Sequence, residues 1–136
     1  MSSQPKTIYT PEEYLEFERN SLTKHEYING KISARASVNA YHVLIVTNLI
    51  AALRFQLKGV PCTVYSSDLR VKVEQTGLYT YPDLVVVCGD LQFSDDQRDT
   101  VTNPRLIVEV MSESTKNYDR GEKFEMYRTV KSFTLR

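Results

Sequence analysis

Apolar positions change period several times along the chain, and each change marks an element. Thr10-Pro11-Glu12-Glu13 opens the first. Thr10 suits an N-cap, Pro11 the first helical position, and Glu13 completes a capping box. With Tyr14, Leu15 and Phe17 as apolar contacts, a short helix is predicted over 11–19. Asn29-Gly30 is a hairpin-type turn between His25-Glu26-Tyr27-Ile28 and Lys31-Ile32-Ser33-Ala34. After a loop-like stretch at 36–41, His42, Ile45, Val46, Leu49, Ile50, Leu53 and Leu57 recur at helical spacing, and Gly59-Val60-Pro61 stops that run.

The second half is read as strands. Thr63-Val64-Tyr65 and Leu69 to Val73 form one extended stretch, Gln75-Thr76-Gly77 turns the chain, and Leu78 to Tyr81 begin the next strand. Leu84 to Cys88 is apolar on both faces, as in a strand covered on both sides. Residues 90–103 are polar and predict a surface loop, long enough to hint at function or mobility. Leu106 to Met111 predicts a second central strand, and a final helix is expected over about 117–130. Ser132 to Leu135 resembles the start of another strand, just before Arg136. This order predicts an α+β domain with a mixed, mainly antiparallel sheet flanked by helices.

Composition narrows the class. The 136 residues carry 17 Lys+Arg against 17 Asp+Glu, with 41% hydrophobic residues, as in one globular domain spanning 1–136. A chain of this size buries enough surface for one core. The apolar runs are too short for a transmembrane helix, and Met1 to Lys6 has no apolar signal region, so no membrane partner is expected. Cys62 and Cys88 are too few for a disulfide framework or a zinc site, so a reduced, cytoplasmic setting is expected. A balanced charge disfavours DNA binding by bulk electrostatics and requires a local basic patch or a partner that builds one.

Two residues stand out chemically. Asp83 heads one apolar strand and Glu109 lies inside another. A carboxylate in a sheet interior is costly unless paired or bound to metal, and neither strand supplies a cation. If the strands are antiparallel neighbours, Asp83 and Glu109 meet at one end of the sheet, as hard oxygen donors suited to Mg²⁺ or Mn²⁺. Lys123 lies roughly 9 Å along the final helix at 1.5 Å per residue, within reach of both. It could place a water or stabilise developing negative charge. An i,i+4 pair between Asp119 and Lys123 is the alternative.

Four blocks carry a resemblance. They are Lys24 to Ile32, Tyr81-Pro82-Asp83 with Leu84 to Val87, Ile107-Val108-Glu109 through Thr115, and Tyr118 to Tyr127. In this order they resemble the Uma family of bacterial endonucleases, within the PD-(D/E)XK, restriction-endonuclease-like superfamily. The resemblance covers nearly the whole chain and implies an αβββαβ core. Its first helix would be 42–58, its meander about 64–73, 80–88 and 105–111, and its second helix 117–130. It implies Asp83 and Glu109 as motif carboxylates, the Val110 backbone carbonyl as a further metal ligand, and Glu26 as a third carboxylate. The motif lysine normally lies two residues after the glutamate, where this chain has Met111; Lys123 matches its migrated position. The activity implied is Mg²⁺- or Mn²⁺-assisted hydrolysis of DNA phosphodiesters by Glu26, Asp83, Glu109 and Lys123, with the metal on Asp83, Glu109 and Val110. The family domain continues past the final helix, so a C-terminal truncation with an open sheet edge is expected, and with it a homodimer.

Other residues have plainer readings. His42 could face the site, although a structural or capping histidine is the simpler assignment. Cys62 and Cys88 are assigned to packing rather than redox pairing. Asp68 is read as a turn or surface acid as readily as a member of the acidic cluster. Ser66, Ser67 and Ser112 lack a nearby histidine for hydrolase chemistry. Arg35, Arg70, Lys72, Arg105, Lys116 and Arg120 could line a phosphate path, but each is read as a solvated charge. Tyr118 and Tyr127 are read as core or rim. Two other functions stay open beside the nuclease. One is a catalytically inactive nuclease-like module that binds DNA or a protein partner. The other is an inert, self-associating remnant.

Overall fold

The structure, a computed structural model, describes residues 7–111 and 123–127. Its elements run α1 (Pro11–Arg19), β1 (His25–Ile28), β2 (Lys31–Ala34), α2 (Ala40–Gln56), β3 (Cys62–Ser66), β4 (Arg70–Val73), β5 (Leu78–Thr80), β6 (Leu84–Cys88), β7 (Thr100–Val101), β8 (Leu106–Val108) and α3 (Phe124–Tyr127). A five-stranded sheet has the order β2-β1-β5-β4-β7, and a three-stranded sheet the order β3-β6-β8. All these pairings are antiparallel except β4 with β7. The α+β class and the mainly antiparallel pairing follow the sequence pattern.

Local signals set the first elements. The Thr10 hydroxyl accepts from the Glu13 N–H at 3.1 Å, and the Glu13 carboxylate accepts from the Thr10 N–H at 2.9 Å, closing the capping box. Thr10→Ala is expected to cost about 1 kcal/mol, read as a lower urea midpoint with an unchanged slope. In the β1–β2 hairpin, Asn29 (φ 50°) and Gly30 (φ 80°) both take the left-handed conformation that a two-residue type I′ turn requires. A Cβ on Gly30 would also sit 2.8 Å from the Ile8 side chain. Tyr14 and Leu15 of α1 pack on Tyr27 of β1 and Tyr79 of β5.

The core lies on both faces of β6. Leu84 and Val86 face Val64 of β3 and Ile50 and Leu53 of α2. Val85 and Val87 face Val71 of β4 and Val101 of β7. Period-two alternation thus joins α2 to one face and the five-stranded sheet to the other.

Several expectations need correction. The predicted meander strands over 64–73 and 80–88 each divide and change sheet. Between β3 and β4 the chain turns at Ser66, whose carbonyl accepts from the Leu69 N–H at 3.2 Å. Between β5 and β6 stands Pro82, which has no N–H to give a ladder. The supposed loop 90–103 contains β7, whose Thr100 and Val101 are fully buried against β4. The strand at Leu106 is not central: β8 is an edge of its sheet among the described residues, and Leu106 is exposed. Arg70, read as a solvated charge, is buried.

Cys62 and Cys88 are not separate packing residues but a disulfide. They are register partners in β3 and β6. The Gly89 N–H donates to the Pro61 carbonyl at 2.8 Å, so the Cys62–Cys88 pair next to it is a non-hydrogen-bonded one, where facing side chains come closest. The helix expected over 117–130 is described only at 123–127. Ser112, Lys116, Tyr118, Asp119, Arg120 and the strand start at 132–135 lie outside the described residues. Among the described residues no helix is long and apolar enough to cross a membrane.

Candidate active site

Asp83 and Glu109 come to one end of the three-stranded sheet for the reason read from the sequence. β6 and β8 are antiparallel, with Leu84 opposite Val108. The next step of that register sets Asp83 across from Glu109. The Val110 N–H donates to Asp83 Oδ2 at 2.7 Å and extends the contact two residues beyond β8.

Asp83 is 3% exposed, so its charge needs partners. Arg35, just after β2, donates from Nη2 to Oδ1 at 2.7 Å. His42, in the first turn of α2, places Nε2 3.1 Å from the same oxygen. Its backbone N–H is held by the Asn39 side chain, the α2 N-cap, at 2.9 Å. His42 thus faces the site, and Arg35 is an inward ion-pair partner rather than a solvated charge.

Glu26 and Glu109 share the second cation. Lys123 Nζ donates to Glu26 Oε2 at 2.7 Å and lies 3.4 Å from Glu109 Oε1. The pairing of Tyr27 with Tyr79 sets Thr80 beside Glu26, and the Thr80 hydroxyl donates to Glu26 Oε2. Tyr127 of α3 donates its hydroxyl to Glu109 Oε1 at 2.8 Å. Burial and the Glu109 charge push that hydroxyl well above its ordinary pKa, so it remains a donor. Tyr127 is buried, as a core residue should be, yet its polar tip belongs to this cluster.

The four residues singled out in the sequence therefore fall into two adjoining ion-pair groups, Asp83 with Arg35 and Glu26 and Glu109 with Lys123. Arg35, Thr80 and the Tyr127 hydroxyl are additions. Only one signal pointed to Arg35: a carboxylate at the head of an apolar strand requires a cation from elsewhere in the chain. Asp68 stays outside the cluster, exposed and paired with Lys24. Among the described residues no three His, Cys, Asp or Glu side chains stand together as a ready metal cage.

Comparison with known proteins places the chain in a family. The family model Uma2, described as "Putative restriction endonuclease", matches residues 11–132. The chain belongs to the Uma2 family. Two relatives from Synechocystis sp. (strain ATCC 27184 / PCC 6803 / Kazusa) are similar in sequence. The uncharacterized protein sll1609 is 35% identical over 123 residues, covering 90% of this chain and 70% of that protein. The uncharacterized protein slr1290 is 39% identical over 125 residues, covering 92% and 65%. The chain thus spans about two thirds of the length of these relatives. A crystal structure from Anabaena variabilis, titled a "putative nuclease belonging to DUF820", superimposes with a TM-score of 0.67 at 18% identity. That match covers 91% of this chain and 69% of the other, and it shows a shared fold.

Proposed function

We propose that this Uma2 chain is a divalent-metal-dependent DNA endonuclease with a restriction-endonuclease-like core. In this reading α2, the β3-β6-β8 sheet and the helix that bears Lys123 are the parts of the αβββαβ core that carry the site. The observation that carries the proposal is Asp83. It is a buried carboxylate set across a strand register from Glu109, with Glu26 and Lys123 adjoining.

The donor set fits Mg²⁺ or Mn²⁺. Such ions keep several waters and need only one or two carboxylates plus substrate oxygens, so a three-carboxylate cage is not required. Asp83, Glu109 and the Val110 carbonyl would hold the ion. When bound, it supplies polarisation of the phosphodiester and a water of lowered pKa. The chain's own groups do the positioning. Lys123, fixed between Glu26 and Glu109, presents N–H donors towards a nucleophilic water or a developing oxyanion. Tyr127 holds the Glu109 carboxylate in one orientation.

The test is incubation of supercoiled plasmid DNA with the purified protein. Nicking or linearisation with Mg²⁺ or Mn²⁺ that stops with EDTA is the expected result, and intact plasmid across both metals would overturn the reading. A second reading, an inactive module that binds a protein partner, has one observation in its favour. α2 is apolar on all sides and buries none of its residues fully, with Tyr41, Leu44 and Phe55 exposed. That module would leave the plasmid intact under every condition.

A further inference from the structure

The site carries its own counter-ions in the places where a metal would act. Asp83 has both oxygens engaged, Oδ1 by Arg35 and His42 and Oδ2 by the Val110 N–H. Glu26 and Glu109 are engaged by Lys123. The two cations differ in setting. The Lys123 side chain is 7% exposed and held by two carboxylates. The Arg35 side chain is 20% exposed, with its backbone anchored by an N–H donated to the Lys24 carbonyl at 3.0 Å. Arg35 therefore has a fixed base and a head that borders solvent.

A divalent cation approaching Asp83 meets the Arg35 guanidinium on Oδ1. In the weakly screening interior, two positive centres a few ångströms apart repel far more strongly than in bulk water. Asp83 holds the Arg35 guanidinium by one contact, Nη2 to Oδ1, whereas a phosphodiester offers it a two-pronged one. We propose that Arg35 is an exchangeable counter-ion. It occupies Asp83 while no nucleic acid is bound, and it moves to a substrate phosphate as Asp83 takes the metal. The inference rests on the metal-site reading above and adds a regulation to it. Metal and DNA bind with positive coupling, and Arg35 carries the coupling. By linkage, DNA then tightens metal binding by the same factor as metal tightens DNA binding. Arg35 is in this sense a positioning and gating residue.

The experiment is calorimetric titration of Mn²⁺ into wild type, Arg35→Gln and Asp83→Asn, each with and without a phosphorothioate DNA duplex that resists cleavage. In wild type the duplex should tighten Mn²⁺ binding by about tenfold, within the usual range of coupling between sites. Without DNA, Arg35→Gln should bind Mn²⁺ about tenfold more tightly than wild type, and the duplex should add little. Equal Mn²⁺ affinity in wild type and Arg35→Gln, with binding lost in Asp83→Asn, would overturn the exchange and leave the metal site standing. No Mn²⁺ binding by any of the proteins, or undiminished binding by Asp83→Asn, would overturn the metal site and the exchange together. If Arg35→Gln melts before it can be titrated, Arg35→Lys replaces it. The lysine keeps the charge but loses the fork, so it should retain weak DNA-free binding and lose most of the DNA effect. Wild-type coupling surviving in full in Arg35→Lys would overturn the guanidinium-specific exchange.

Discussion

Asp83→Asn is expected to abolish detectable Mn²⁺ binding and to reduce metal-dependent plasmid cleavage at least about 100-fold, the upper end of what loss of a supporting residue costs a metal site. Asparagine is the informative substitution because it keeps the shape and one acceptor. Its amide oxygen can still take the Val110 N–H that aligns Glu109 with this position. What it removes is charge. Arg35 then loses its carboxylate, but its side chain borders solvent and can hydrate. The stability cost should stay at about 1.5–3 kcal/mol, the range for a hydrogen bond to a charged group. Asp83→Ala is different: it strands the Val110 N–H and leaves Arg35 and His42 around a void, so about 3 kcal/mol or more is expected. Calorimetry with Mn²⁺, paired with urea unfolding of both variants, separates loss of the metal from loss of the fold. Cleavage that survives in a folded Asp83→Asn protein would overturn the proposed metal site at this strand.

Features fixed by neighbours in the chain were legible in the sequence. The capping box at Thr10 and the Asn29-Gly30 turn involve residues within a few positions of one another, and both form as read. The opposition of Asp83 and Glu109 was also legible, although they are far apart in sequence, because each is an anomaly in an apolar strand and antiparallel pairing sets the start of one strand against the end of the other. The partners of Asp83 were not. Arg35 and His42 lie 48 and 41 positions away, and nothing in their own neighbourhoods distinguishes them from surface or capping residues. The division between sheets had a local sign in Pro82, but whether the chain re-enters the same sheet or another depends on packing. β7 was hidden for a similar reason: two residues in a polar stretch gain strand structure from β4 and from a bridge to Phe93, and the β4 partner Arg70 is 30 positions distant. The Cys62–Cys88 bond depends on register, which cysteine spacing alone does not encode.

Arg70→Ala is expected to cost roughly 3–5 kcal/mol, the range for removing one member of a buried charge network. Arg70 donates from Nη1 to the Tyr81 hydroxyl at 2.9 Å and from Nε to the Thr100 hydroxyl at 2.8 Å, and its Nη2 lies 2.8 Å from Asp99 Oδ2. Tyr81 in turn donates to Glu18 Oε2 at 2.7 Å, and Glu18, buried in α1, also takes the His25 N–H at 2.7 Å. One guanidinium thus ties α1 and β1 to β4 and β7. Without it, the Tyr81 and Thr100 hydroxyls lose a donor, and the Tyr81–Glu18 pair stays buried without the Arg70 charge. Burial works against the Arg70 charge, but Tyr81 and Asp99 outweigh it and its pKa stands above the ordinary value. The network also sets a pH window. The hydrogen bond from Arg19, and then the Arg70 charge, hold the Asp99 carboxyl below the usual carboxylate range. A depressed carboxyl contributes stability that is full above its unfolded pKa, about 4, and is lost as pH falls through the folded value. At the other end, burial and the bond to Glu18 push the Tyr81 hydroxyl up to about 12. A raised pKa contributes stability that is full below the unfolded value, about 10, and is lost as pH rises towards the folded one. Urea unfolding should therefore show wild-type stability falling below about pH 4 and above about pH 10. The alkaline fall should shrink in Tyr81→Phe, which has no proton to lose there. Because Asp99 is partly exposed, the acid arm should be the weaker and should soften further with salt. If Arg70→Ala costs less than about 1 kcal/mol, the value for a surface pair, then the fit of apolar side chains around Val71 and Val101 joins these elements without help from the charges.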